Sequence, residues 1–245
     1  MYLALFLGTL GCVSKSNSFV SDHIQPKVET VKTAPLHSEL QNQLATWAGN
    51  GKPETIDAQR DKPIERLSDW IKQRARAKLP VNIIFVCTHN SRRSHMSELW
   101  AKAAAEYLGI ENVKTFSGGT ESTAFNPRSV RALRTHGFVI EETTEKLSEQ
   151  NMVYNTSIGE GHVKKRSFSK KYSHEENPKT EFAAVMVCAQ ADEQCPYVEG
   201  ADIRISLPFI DPKLSDGSPQ EEATYLDKSQ EIGREMLWLM QQVVK

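Results

Sequence analysis

VNIIFVCTHNSRRSHMSELW, residues Val81 to Trp100, decides the fold. An apolar run rich in β-branched residues, Val81 to Val86, ends at Cys87 and predicts a buried strand. A short polar loop follows, Thr88-His89-Asn90-Ser91-Arg92. At Arg93-Ser94 a helical pattern begins, with Met96, Leu99, Trp100 and Ala103 on one face. A strand that passes through a tight loop into a helix makes an anion cradle. The first-turn N–H groups have no intrahelical partner, they converge on one point, and the helix dipole adds positive charge there. The same field stabilises a thiolate. One segment thus offers a nucleophile in Cys87, an oxyanion site in residues 88–94, and a guanidinium clamp in Arg93, whose planar fork matches two oxygens of a tetrahedral anion.

Downstream, Phe182 to Val187 is a second continuous apolar strand that also ends on a cysteine, Cys188. Val113–Ser117 and Ile203–Leu207 predict two more strands. Helices are predicted between them, over about Arg93–Leu108, from Asn126-Pro127 to Gly137, and over about Gln220–Val244. Strands alternating with helices predict a parallel sheet with right-handed crossovers. Ligands bind at the carboxyl ends of such strands, so Cys87 and Cys188 are expected on the same rim.

Cys-x5-Arg-Ser after a buried strand, with Asn three residues past the Cys, resembles the low-molecular-weight protein tyrosine phosphatases. It is equally similar to the thioredoxin-coupled arsenate reductases that share their fold. The likeness runs from about Val81 to Lys245. It implies an α/β, flavodoxin-like fold with a four-stranded parallel sheet and helices on both faces. It also implies that Cys87 is the nucleophile, that Thr88, His89, Asn90, Ser91, Arg92 and Ser94 surround the anion, and that Asp211 of Asp211-Pro212 is the general acid. Read without the resemblance, Asp211-Pro212 is also compatible with a turn.

Cys188 and Cys195 separate the two branches of the family. A phosphatase needs no further thiol, whereas in the reductases two cysteines at this spacing carry a disulfide from the nucleophile outward to a thioredoxin-like reductant. A static Cys188–Cys195 bridge or two unrelated core thiols are the other readings. The expected function is arsenate reduction, with phosphotyrosine hydrolysis through a cysteinyl-phosphate as the alternative and a non-catalytic phosphate-binding protein as a third. The substrate is a small oxyanion or a phosphotyrosine. Two residues depart from the family: His89 stands where a loop glycine is common, and Arg92 where many reductases have a second loop cysteine. Some reductases hold a potassium ion beside the loop. Asn90, Glu98 and Ser117 match three of its ligands, the fourth has no counterpart, and no metal or cofactor is expected.

The rest of the 245 residues is less specific. A hydrophobic content of 39% and a net charge of −1 describe a globular protein and give no reason to expect nucleic acid. Four cysteines without two short pairs make neither a disulfide scaffold nor a zinc site. Residues 1–12, MYLALFLGTLGC, resemble a bacterial lipoprotein signal, which implies an envelope location. Without that signal the expected location is cytoplasmic. Residues 13–35 read as a linker, and 36–79 as a helical extension with helices over Leu36–Trp47 and Ile64–Ala77, Pro63 falling in the first turn of the second. The phosphatase-like domain spans 80–245. Within it, 141–180 is a polar excursion with a strand pair near Met152–Tyr154 and His162–Phe168, and its basic residues are expected in a solvated loop.

Overall fold

The computed structural model describes Met1 and residues 34–245. Apart from Met1, the signal-like stretch lies outside the described residues, as does the linker up to residue 33. Among the described residues, no helix is long and apolar enough to cross a membrane.

In chain order the elements are α1 (Ser38–Ala48), α2 (Ala58–Arg76), β1 (Val81–Cys87), α3 (Arg93–Tyr107), β2 (Val113–Gly119), α4 (Pro127–Thr135), β3 (Val139–Lys146), β4 (Met152–Ser157), β5 (Lys165–Ser167), β6 (Phe182–Met186), α5 (Ala189–Gln194), β7 (Ala201–Ser206), a 3-10 turn (Pro212–Ser215) and α6 (Glu221–Val244). β2, β1, β6 and β7 lie side by side in that order, all parallel, with helices flanking the sheet. This is the expected α/β architecture. β1 and β6 are the two central strands and are buried on both faces, which is why they are nearly continuous apolar runs rather than alternating ones, broken in β1 only by Asn82. Cys87 faces Gly119 of β2 in register. A methyl on Gly119 would sit 2.1 Å from the Glu121 carbonyl and 2.7 Å from the Asn90 nitrogen, so only a bare backbone lets β2 pass this close to the loop after β1.

α6 packs against α1, α2, α3 and α4. Trp100 of α3 lies at this junction. Its ring is 5.0 Å from that of Trp47 and 4.8 Å from that of Phe138, and its indole N–H donates to Ser229 at 3.0 Å. Leu40, Leu44, Ile64, Leu67 and Ile71 bring α1 and α2 into the same hydrophobic core. α2 begins earlier than its apolar period suggests. Asp57 caps it by accepting the N–H groups of Gln59 and Arg60 at 2.9 Å, and Pro63 therefore lies inside the helix instead of in its first turn. The early start has a consequence. Arg60 reaches Glu235 of α6 at 2.6 Å and donates to the Pro208 carbonyl at 2.7 Å, while its guanidinium stacks over Phe209. α2 thereby braces the segment that leads to Asp211.

The excursion differs most from expectation. β3, β4 and β5 form an antiparallel sheet in that order, so the expected strand pair gains a partner, β3, whose glutamates and threonines hid it. The basic residues are not uniformly solvated. Lys164 is exposed and pairs with Glu141. Lys165 turns inward to the Glu98 carboxylate of α3 and donates to the Thr115 carbonyl at 2.5 Å. Lys170 is only 4% exposed. The cause is Glu98: a carboxylate 1% exposed must be paired, and Lys165 supplies the countercharge. Lys165→Ala should therefore cost about 3 kcal/mol in urea unfolding, the low end for a broken buried pair because the lysine itself is one-third exposed. Lys164→Ala should stay within about 0.5 kcal/mol, and equal effects of the two would contradict the inward assignment.

Candidate active site

β1 delivers Cys87, 3% exposed, to the rim of the sheet, and the chain then turns sharply. Asn90 takes up the turn at φ +44°, in the left-handed region that asparagine tolerates better than most side chains. Its side chain then works in both directions. The amide Nδ2 donates to Ser94 Oγ at 2.9 Å, and Oδ1 accepts the Lys170 N–H at 2.8 Å. Because the Ser94 hydroxyl accepts from Asn90, its own proton is free for Cys87 Sγ, 3.1 Å away. A chain of hydrogen bonds thus runs from the excursion to the sulfur.

The first intrahelical bond of α3 is from the Met96 N–H to the Arg92 carbonyl, and Arg92, the N-cap residue, makes no side-chain cap. Among the described residues, no protein acceptor takes the backbone N–H groups of His89 through His95. Uncapped amides at the start of a helix are what an anion needs. The Nε–H of Arg93 is likewise buried with no partner among the described residues. The rest of Arg93 is engaged: one terminal nitrogen donates to the Phe209 carbonyl at 2.9 Å and the other to Asp211 Oδ2 at 2.7 Å. Arg92 grips the same carboxylate through Nε at 2.8 Å and Nη2 at 3.2 Å. Burial works against ionisation of Asp211, but the Arg92 hydrogen bonds and the two guanidinium charges outweigh it and hold the carboxyl below its ordinary value. Asp211 also caps the 3-10 turn through the Lys213 N–H at 3.1 Å. The turn read for Asp211-Pro212 is thus present, and it sets the carboxylate beside both arginines.

Cys188 lies two residues past β6, 1% exposed, and its sulfur is 3.4 Å from Thr88 Oγ1, on the residue next to Cys87. It caps α5 by accepting the Ala191 N–H at 3.3 Å. Cys195 closes the other end of α5 and is half-buried. Cys87, Cys188 and Cys195 are all free thiols. Arg204 of β7 holds this short helix by donating to the Cys195 carbonyl at 2.8 Å and the Asp192 carbonyl at 2.6 Å.

The residues singled out from sequence therefore gather at one rim: Cys87, Thr88, Asn90, Ser94, Arg93, Arg92, Asp211 and Cys188. Two of the loop residues are also tied to groups away from the sulfur. The Ser91 carbonyl accepts the Asn126 N–H at 2.9 Å, tying the loop to α4, and the half-exposed His89 ring stands 3.7 Å from Glu121.

Sequence reasoning missed the support beneath the loop. Ser169 Oγ donates to the His89 carbonyl at 2.9 Å, Asn151 and Ser169 exchange two bonds, and the Gly119 N–H donates to the Lys170 carbonyl at 2.9 Å. His95 is fully buried, stacked on Phe125 at 3.9 Å, with Nδ1 3.2 Å from Ser117 Oγ. Burial pushes its pKa down to about 3 against the pull of Glu98, so the ring is neutral near pH 7. For Glu98, burial alone would favour the acid, but Lys165 and Lys170 prevail and keep it a carboxylate. An inorganic cation does not fit here. The Glu98 charge is answered by Lys165, Asn90 Oδ1 holds Lys170, and Ser117 is engaged with His95. Among the described residues, no group of three or more His, Cys, Asp or Glu side chains is arranged to hold a metal.

The family model for low molecular weight phosphotyrosine protein phosphatase matches residues 82–156, from β1 through β4. The arsenate reductase of Bacillus licheniformis is 29% identical over 153 residues, which cover 62% of this chain and 88% of the relative. That of Bacillus subtilis is 28% identical over 155 residues, covering 63% and 91%. Among solved structures, a low molecular weight protein tyrosine phosphatase from T. tengcongensis aligns with a TM-score of 0.45 and 18% identity over 67% of this chain and 97% of its own. A YwlE mutant from Bacillus subtilis aligns with a TM-score of 0.43 and 19% identity over 67% and 99%. The family match over β1 to β4 and the arsenate reductases at 28–29% identity support a place in the superfamily of low-molecular-weight protein tyrosine phosphatases and arsenate reductases, whose members are cysteine-dependent enzymes.

Proposed function

We propose that this chain reduces arsenate, using Cys87 as nucleophile and Cys188 and Cys195 as a disulfide relay. The observation that carries this reading is the Cys188 sulfur, buried and free, 3.4 Å from the hydroxyl of the residue next to Cys87. A phosphatase has no use for a second thiol there. The relatives named arsenate reductase add support. Residues 80–245 would carry the chemistry, with α1 and α2 as a brace.

Arsenate enters the cradle as an oxyanion held by the loop amides and by Arg93, whose unpartnered Nε–H is one ready donor. The Cys87 thiolate attacks arsenic. One arsenate oxygen leaves as water, taking both protons of dihydrogen arsenate, and a Cys87 thio-arsenate remains. Cys188 then attacks the Cys87 sulfur. The S–As bond breaks, its electron pair stays on arsenic, and arsenite departs with the Cys188 proton. The two sulfurs are oxidised to a disulfide. Cys195 next attacks Cys188, forming a Cys188–Cys195 disulfide and returning Cys87 as a thiol. An external dithiol of the thioredoxin type reduces that bridge by exchange.

The last internal step requires α5 to open. The six residues of α5 lie between the two cysteines, so seven helical rises separate their Cα atoms by about 10 Å, and a disulfide spans at most about 7 Å. Unwinding of α5 against the hold of Arg204 is therefore part of the cycle, and it is the step that brings Cys195 to Cys188. Hydrolysis of phosphate esters is the side reaction that the same loop permits. An envelope location goes with this reading only if Cys12 is acylated, and the mass of the purified N-terminus reads that directly.

Cys87→Ser should abolish both arsenite production and aryl phosphate hydrolysis. Cys188→Ser and Cys195→Ser should each abolish arsenite turnover with thioredoxin and its reductase while leaving aryl phosphate hydrolysis in place. A Cys195→Ser variant that reduces arsenate at the full rate would sink the relay. Asn90→Ala cuts two bonds and leaves a residue that tolerates φ +44° less well than asparagine, so kcat on both substrates should fall about a hundredfold through a misplaced nucleophile. Unchanged kcat in that variant would show that the loop holds its shape without Asn90.

A further inference from the structure

Two guanidiniums converge on one carboxylate at the mouth of the loop, and they are not equivalent. Arg93 shares its donors among Phe209, Asp211 and an unpartnered Nε, so an incoming oxyanion can draw it away from Asp211. Arg92 makes both of its bonds to Asp211, one to each oxygen, in the bidentate geometry that binds carboxylates best. It is 9% exposed and is the N-cap residue of α3, so its backbone cannot swing aside without disturbing the cradle.

We propose that Arg92 is a positioning residue that selects the reaction: it keeps Asp211 a carboxylate after Arg93 has turned to the oxyanion, and so withholds the proton that a phenoxide leaving group needs. This rests on the reading of Asp211 as the acid of ester hydrolysis. The two substrates differ in their proton balance. When the Cys87 thiolate displaces phenoxide from a phenyl phosphate, the P–O bond breaks and the departing oxygen must take a proton from outside the substrate. When it displaces an oxygen of dihydrogen arsenate, water leaves with two protons the substrate already carries. Holding Asp211 ionised therefore penalises the ester and spares arsenate.

Among the described residues that face Asp211, none is a substitute acid, and His89 of the loop is directed to Glu121, 3.7 Å away. Asp211 faces Arg92 from the loop, Arg93 from α3 and the Lys213 N–H from the 3-10 turn. Beyond Arg92 are Cys87 and, on α6, Tyr225, whose hydroxyl donates to Asp216 at 2.8 Å. Arg128 of α4 is occupied by Glu221 at 2.7 Å.

The test compares phenyl phosphate, a poor leaving group, with 2,4-dinitrophenyl phosphate, a good one, across pH in wild type, Arg92→Gln and Arg92→Lys. In Arg92→Gln the alkaline limb of the phenyl phosphate kcat profile should move up by about one pH unit, and the rate at neutral pH should rise about tenfold. The ratio of the phenyl to the dinitrophenyl rate should rise about tenfold, since the dinitrophenoxide leaving group needs no acid and any change in anion binding is common to both esters. Arg92→Lys, a charge without the fork, should fall between wild type and Arg92→Gln. The gain should vanish in Arg92→Gln/Asp211→Asn. An unmoved limb with unchanged leaving-group dependence, or a gain that survives without Asp211, overturns the proposal. Should Arg92→Gln fail to fold, a carbon-13 NMR titration of the Asp211 carboxyl in wild type with inorganic phosphate bound decides it. The proposal requires ionisation to persist below the ordinary carboxylate range, and protonation near neutrality overturns it. If wild type makes no arsenite, the reductase reading fails, and the ester profiles still judge Arg92 on their own.

Discussion

The site depends on one backbone turn. For the chain to leave β1 and enter α3 with its amides pointing inward, one residue must take a positive φ, and Asn90 does so with a side chain that bonds on both sides. Without those bonds a left-handed asparagine is a local cost of order 1 kcal/mol. With them it becomes the link that orients Ser94 toward the sulfur and ties the loop to the excursion. Cys87, the uncapped start of α3 and Arg93 are all placed by that turn, because each is within four residues of it.

The turn is in turn held from outside the sheet. The Ser169–Lys170 segment lies against the loop backbone, and Lys165 answers the Glu98 charge buried under α3. A buried ion pair of this kind adds little net stability, but it is intolerant of losing one partner, so it fixes where the excursion must dock. On the other side, Arg60 couples α2 to Pro208 and Glu235, and so to the segment that presents Asp211. Two additions to the parallel sheet, one before β1 and one between β2 and β6, thus reach the same rim from different directions.

The sequence made the parallel sheet and the loop legible because both are written in local terms. β1 and β6 are apolar runs buried on both faces, one helix starts without a cap, and Cys87 and Arg93 sit at a fixed spacing. The excursion was not legible. β3 alternates little and is mostly polar, and Lys165 and Lys170 look like neighbouring solvated lysines until Glu98, some seventy residues earlier, is seen to need a cation. Such a pairing is non-local, and no periodicity announces it. The start of α2 was misread because Pro63 competes with Asp57 as a helix-start signal, and the capping carboxylate prevailed. The pairing of Asp211 with both arginines was also invisible, since nothing in Arg92-Arg93 says where either fork points.

The central claim is that three thiols and one oxyanion site form a single electron path. A single turnover with arsenate and no external reductant tests it most directly, followed by alkylation of remaining thiols and peptide mass spectrometry. The account predicts one arsenite per chain, a Cys188–Cys195 bridge and an alkylated Cys87. No arsenite with all three thiols still alkylated, or arsenite formed with Cys188 and Cys195 untouched, would contradict it.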